Sequence, residues 1–81
     1  MRNYRTMTNV KLVRGNDRGI VRVRLYKDGT FTLYAKMYNV VTGKLLHRSL
    51  NTFTNRRMAT VWANRFINSA VESGAYIANP F

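Results

Sequence analysis

The sequence predicts an α+β fold: a three-stranded antiparallel sheet packed on one C-terminal helix, preceded by a basic N-terminal arm. Three observations carry this. Ile20–Tyr26 and Phe31–Met37 alternate between apolar and polar residues, the period of half-buried strands. From Thr54 onward the apolar residues recur at helical spacing. The start of the chain is basic: residues 1–14 hold four basic and no acidic side chains.

Residues 1–14 read as the basic arm, with a short strand at Val10–Val13 as an option, and residues 15–81 as a single β-β-β-α domain. Gly15-Asn16-Asp17-Arg18-Gly19 is a turn cluster. The first hairpin has its register set by arithmetic. A three-residue Lys27-Asp28-Gly29 loop, with Gly29 left-handed, pairs Leu25 with Phe31, Val23 with Leu33 and Val21 with Ala35. It keeps one face dry, which a two-residue loop would not. A second turn at Val40-Val41-Thr42-Gly43 leads to a third strand near Lys44–Leu50. Pairing Met37 with Leu46 and Leu33 with Leu50 matches apolar residues across the sheet. It leaves His47 and Ser49 on the wet face and puts Arg48 on the core side of Ala35. Thr54 is the expected helix N-cap and Gly74 the C-terminal stop. Met58, Ala59, Trp62, Ala63, Phe66 and Ala70 form the buried stripe. The apolar tail, Ala75–Phe81, docks back on the body.

Composition narrows the chemistry. Fourteen Lys and Arg stand against three Asp and Glu, for a formal charge of +11 over 81 residues. A compact domain repels itself at such a charge, and a polyanionic partner is the commonest reason for it. There is no cysteine, which excludes disulfides, thiolate metal sites and cysteine nucleophiles. One histidine and three dispersed carboxylates offer neither a metal site, nor a catalytic dyad, nor a triad. The expectation is a protein that is not an enzyme and needs no cofactor or metal. No stretch approaches the roughly 20 apolar residues of a membrane span, and a cytoplasmic protein of a bacterial or phage-infected cell is expected.

The expected wet face of the sheet supplies the site. Arg22, Arg24, Tyr26, Tyr34, Lys36 and Tyr38 interleave cations with phenols, a surface that can neutralise phosphates and reach base edges. Solvated strands also carry Arg and Tyr because cation–aromatic pairs stabilise sheets. The near absence of acids favours the nucleic-acid reading. Arg2, Arg5 and Arg14 on the arm are candidate backbone or minor-groove contacts. Arg56 and Arg57 sit in the first helical turn, where the helix dipole disfavours cations; there they read as a phosphate clamp.

VRVRLYKDG (residues 21–29), followed by two more strands and the stretch from Asn51 to Phe66, resembles the N-terminal arm-type DNA-binding domain of phage and transposon tyrosine recombinases. Phe53, Ala59 and Trp62 match that family's helix-start pattern, with one extra residue between Thr54 and Ala59. The resemblance covers about residues 19–74, and plant AP2-type domains share the same sheet-on-helix form. It implies a sheet that enters a DNA major groove with Arg22, Arg24, Tyr26, Tyr34 and Lys36 on the bases. It also implies a module either excised from a recombinase or free-standing. Double-stranded DNA is the favoured partner. RNA or a single strand is one alternative, and an acidic host protein bound by a small phage-type protein is the other. Monomer and dimer are both compatible with the sequence.

Overall fold

The computed structural model describes residues 3–80. In chain order the elements are β1 (Tyr4–Arg14), β2 (Asp17–Tyr26), β3 (Phe31–Asn39), β4 (Leu45–Phe53), α1 (Arg56–Glu72) and β5 (Ile77–Pro80). All five strands join one antiparallel sheet in the order β4-β3-β2-β1-β5. The α+β class therefore stands, but the sheet has five strands where three were expected. The two additional strands come from the expected arm and tail.

The basic arm is strand β1. It pairs along its whole length with β2, from Tyr4 opposite Tyr26 to Arg14 opposite Asp17. Its alternation is hidden by a β-bulge at Met7, the residue skipped between the Thr6–Arg24 and Thr8–Val23 pairs. Beyond the bulge Thr8, Val10 and Leu12 share one face, and Leu12 is fully buried. A two-residue Gly15-Asn16 turn with Gly15 at φ 56 links β1 to β2. The β2–β3 hairpin has the register set by the three-residue loop. Leu25 faces Phe31, Val23 faces Leu33 and Val21 faces Ala35, with Gly29 at φ 87.

The third strand is turned over relative to expectation. Asn39 closes the second turn: its Oδ1 accepts from the N–H groups of Val41 and Thr42, each at 2.9 Å, and its own N–H donates to Lys44 O. That closure would carry the ladder on to Tyr38–Leu45 and Met37–Leu46. The first pair forms, but Leu46 then bulges out and Met37 pairs with His47. Every later pair is shifted by one, to Ala35–Ser49, Leu33–Asn51 and Phe31–Phe53. The physical reason is charge. The regular register would press Arg48 toward the core beside Ala35, whereas the bulge puts Ser49 there and moves Arg48 beside Lys36 on the other face.

Helix α1 lies over β2 and β3, burying Ala59, Ala63 and Ala70 against Val21, Val23, Leu33 and Ala35. Alanines let the backbone approach closely, so the large members of the expected stripe end up at its edge. Met58 and Trp62 are exposed and only Phe66 packs against the core, correcting their expected burial. The N-cap is Asn55, not Thr54. Asn55 Oδ1 accepts from Arg57 N at 2.8 Å and Met58 N at 3.3 Å. At the other end Ser73 N and Gly74 N both donate to Ser69 O, and Tyr76 N reaches back to Ala70 O past Ala75 at φ 57. This turn drops the buried Tyr76 into the core and feeds β5 onto β1. Among the described residues no helix is long and apolar enough to cross a membrane.

Candidate nucleic-acid interface

With α1 on one side, the strand registers decide what the opposite side presents. Alternation places Tyr4, Thr6, Asn9 and Lys11 of β1 on this open face, with Arg18, Arg22, Arg24 and Tyr26 of β2. β3 adds Thr32, Tyr34, Lys36 and Tyr38, and β4 adds Arg48, Leu50 and Thr52. Six cations and four tyrosines therefore share one surface. None of the three acids belongs to it. Asp17 lies on the helix side at the start of β2, Asp28 in the β2–β3 turn and Glu72 at the end of α1.

The side chains are arranged in rows across the strands. The central row runs Asn9–Arg22–Tyr34–Leu50. Arg22 Nε donates to Asn9 Oδ1 across 3.4 Å, a long contact that leaves most of the guanidinium uncommitted. Tyr34 stands between Arg22 and the exposed Leu50. The next row runs Thr6–Arg24–Thr32–Thr52. Here the Arg24 guanidinium lies 4.2 Å above the Tyr4 ring, whose own neighbour is Tyr26 at 5.6 Å and 53°. Arg24 Nε is buried and meets no acceptor among the described residues, and an unpaired donor of that kind is costly. On the other side of the centre, Lys36 stands beside Arg48 and its Nζ lies 5.3 Å from the Tyr38 ring centroid.

The sequence-predicted residues divide into two groups. Arg22, Arg24, Tyr26, Tyr34, Lys36 and Tyr38 come together on the open face. Arg5, Arg14, Arg56 and Arg57 do not. Arg14 is committed to the architecture: it donates to Gly74 O at 2.9 Å and to Asp17 Oδ2 at 3.0 Å, and lies 4.5 Å from the Tyr76 ring centroid. It fastens the first hairpin to the end of α1. Arg5 pairs opposite Leu25 and so belongs to the helix side. Arg56 and Arg57 are exposed at the start of α1, away from the open face. Arg2 lies outside the described residues. His47 and Ser49, expected on the wet face, are on the helix side, where His47 Nε2 and Ser49 Oγ are 3.2 Å apart and the His47 ring lies 5.4 Å from Phe66.

Tyr4, Asn9, Lys11, Arg18 and Arg48 were not expected on the face. For the β1 residues the available signal is Val10 and Leu12 alternating with Asn9 and Lys11; for Arg48 it is the electrostatic cost of the regular register. Among the described residues no three His, Cys, Asp or Glu side chains gather in a way that could hold a metal ion. No family of known proteins, no curated protein and no solved structure matches the chain.

Proposed function

We propose that this protein is a nucleic-acid-binding module, not an enzyme, and that it binds an extended single strand across the open face of its sheet. The observation that carries the reading is an acid-free surface on which six cations surround four tyrosines. Arg22, Arg24, Lys36 and Arg48 supply cations to neutralise backbone phosphates. Tyr34 at the centre offers a ring for a base, and the largely uncommitted Arg22 guanidinium offers donors to a phosphate or base oxygen.

Sheet width favours a single strand over the duplex implied by the recombinase resemblance. Three strands span roughly 10 Å from first to last and could lie in a major groove about 12 Å wide, whereas the four strands that carry this face span roughly 14 Å. A face of that width cannot descend to the base edges of B-form DNA. Unpaired bases, by contrast, can splay onto a flat surface and stack on aromatic rings.

The test is a titration of the intact protein with one oligonucleotide sequence as RNA, as single-stranded DNA and as duplex DNA. Single strands are expected to bind more tightly. Tyr34→Ala should cost them about 1–3 kcal/mol, roughly 5- to 150-fold, with a much smaller effect on duplex. Tighter duplex binding with equal losses for both forms would return the reading to double-stranded DNA. Unchanged affinity after Arg22→Ala and Arg24→Ala together would remove the open face as the site altogether.

A further inference from the structure

The two edges of the sheet are finished differently. On one side β5 is four residues long and ends at Pro80, which has no N–H to offer; short strands and prolines are the usual protection of an edge. On the other side β4 runs nine residues without a proline, and no strand among the described residues lies beyond it. Its backbone is a template for another strand. The exposed apolar side chains cluster here as well. Leu45, Leu46 and Leu50 belong to β4 itself, and Trp62 is 44% exposed across a gap on the helix side.

That gap is a groove of about 450 Å³ between α1 and β4, floored by Leu33, Phe53 and Phe66 and rimmed by Trp62, Arg65 and Asn51. The Arg65 guanidinium lies 5.0 Å from the Trp62 ring centroid. Neither β4 nor the groove contains an acidic residue, while Lys44, Arg48 and Arg65 surround them. A second copy of the chain would meet this edge as another body of charge +11, setting cation against cation. An acidic segment would meet complementary charge.

We propose that β4 receives an extended acidic peptide segment of a partner protein as a sixth strand. Side chains of an added strand alternate between the two faces of the sheet. On the helix side they enter the groove beside Trp62 and Phe53, and these positions call for apolar residues. On the open side they lie beside Arg48, which calls for Asp or Glu, with the exposed Leu45 and Leu50 on either side of it. The occupant is therefore a segment in which apolar and acidic residues alternate, recognised by main-chain hydrogen bonds along β4 and by side-chain pattern. This site shares Arg48 with the face proposed above, but its test needs no nucleic acid and turns on the groove beside Trp62.

Trp62 is the only tryptophan in the chain, so its fluorescence reports the groove directly. The intact protein is titrated with a synthetic peptide that matches the nine residues of β4 in length and alternates Glu with Leu or Val. A permuted peptide of the same composition, with its Glu residues grouped at one end, is the comparison. The alternating peptide is expected to shift Trp62 emission saturably, to slow hydrogen exchange at β4 amides, and to bind at least about tenfold more tightly than the permuted one. Arg48→Glu with Arg65→Glu should weaken it by about tenfold or more, without lowering the thermal unfolding midpoint. Equal binding of the two peptides would reduce the effect to bulk charge and overturn the proposal. So would β4 protection that rises with protein concentration in the absence of peptide, which would give the edge to a second copy.

Discussion

Gly19 shows how closely neighbouring strands of the sheet pack on the helix side. It is buried opposite Leu12, and a Cβ placed on it would lie 3.0 Å from Leu12 Cβ and 3.3 Å from Met37 Cγ. Gly19→Ala is therefore expected to overpack the core and lower stability by about 1–3 kcal/mol, measured by denaturant unfolding. Asp17 makes a different kind of link. The hydrogen bond from Arg14 and a second from Asn39 Nδ2 at 3.1 Å hold its carboxyl below the usual carboxylate range. A depressed folded-state value means a contribution that is present above the unfolded value, roughly 3.9, and is lost as the pH falls through the folded one. Asp28, lowered by the hydroxyl and N–H of Thr30, acts with the same sign. Stability should decline on acidification below about pH 4. Asp17→Asn should flatten that decline without abolishing it, as followed by unfolding midpoints across the acid range.

Strand β4 and its bulge determine which residues reach the open face. The single unpaired residue, Leu46, absorbs the mismatch between the turn closed by Asn39 and the register that keeps Arg48 out of the core. Deleting Leu46 should leave a regular ladder from Tyr38–Leu45 straight to Met37–His47, with every later pair as it is. The deletion variant is expected to fold, with cross-strand contacts between Ala35 and Ser49 retained in nuclear Overhauser spectra. Finding Arg48 opposite Ala35 instead would show that the bulge has another cause. For helix α1, alanine spacing had the opposite consequence from the one its aromatic residues suggested. Because Ala59, Ala63 and Ala70 take the buried positions, Trp62 is left at the margin, where it borders a groove instead of filling the core.

The surplus of charge acts on the entire body. At +11 the folded chain repels itself, and the repulsion is screened by salt over a Debye length of about 10 Å at 0.1 M. Folding stability should therefore rise with ionic strength from low salt. Oligonucleotide affinity should fall over the same range, with a log–log slope of about −0.7 for each phosphate neutralised on a single strand. Thermal melts and binding titrations at matched salt concentrations check both signs. A melting midpoint that drops with salt would mean that specific ion pairs outweigh the general repulsion.

The α+β class, the dry and wet faces of β2 and β3, and the cation–tyrosine interleaving were legible because period-two alternation and loop length act locally. Val21, Val23 and Leu25 can share a face in only one hairpin register once Gly29 turns the chain. β1 was concealed because the bulge at Met7 interrupts its alternation. β5 is too short to carry a pattern, and it exists because the turn at Ala75 delivers it to β1. The orientation of β4 and the positions of Trp62, Arg14 and Arg48 depend on contacts between segments far apart in the chain. Local periodicity can say which residues belong together on a strand or helix. Which of those groups is covered, and how wide the exposed surface becomes, follows from long-range packing that no stretch of sequence contains.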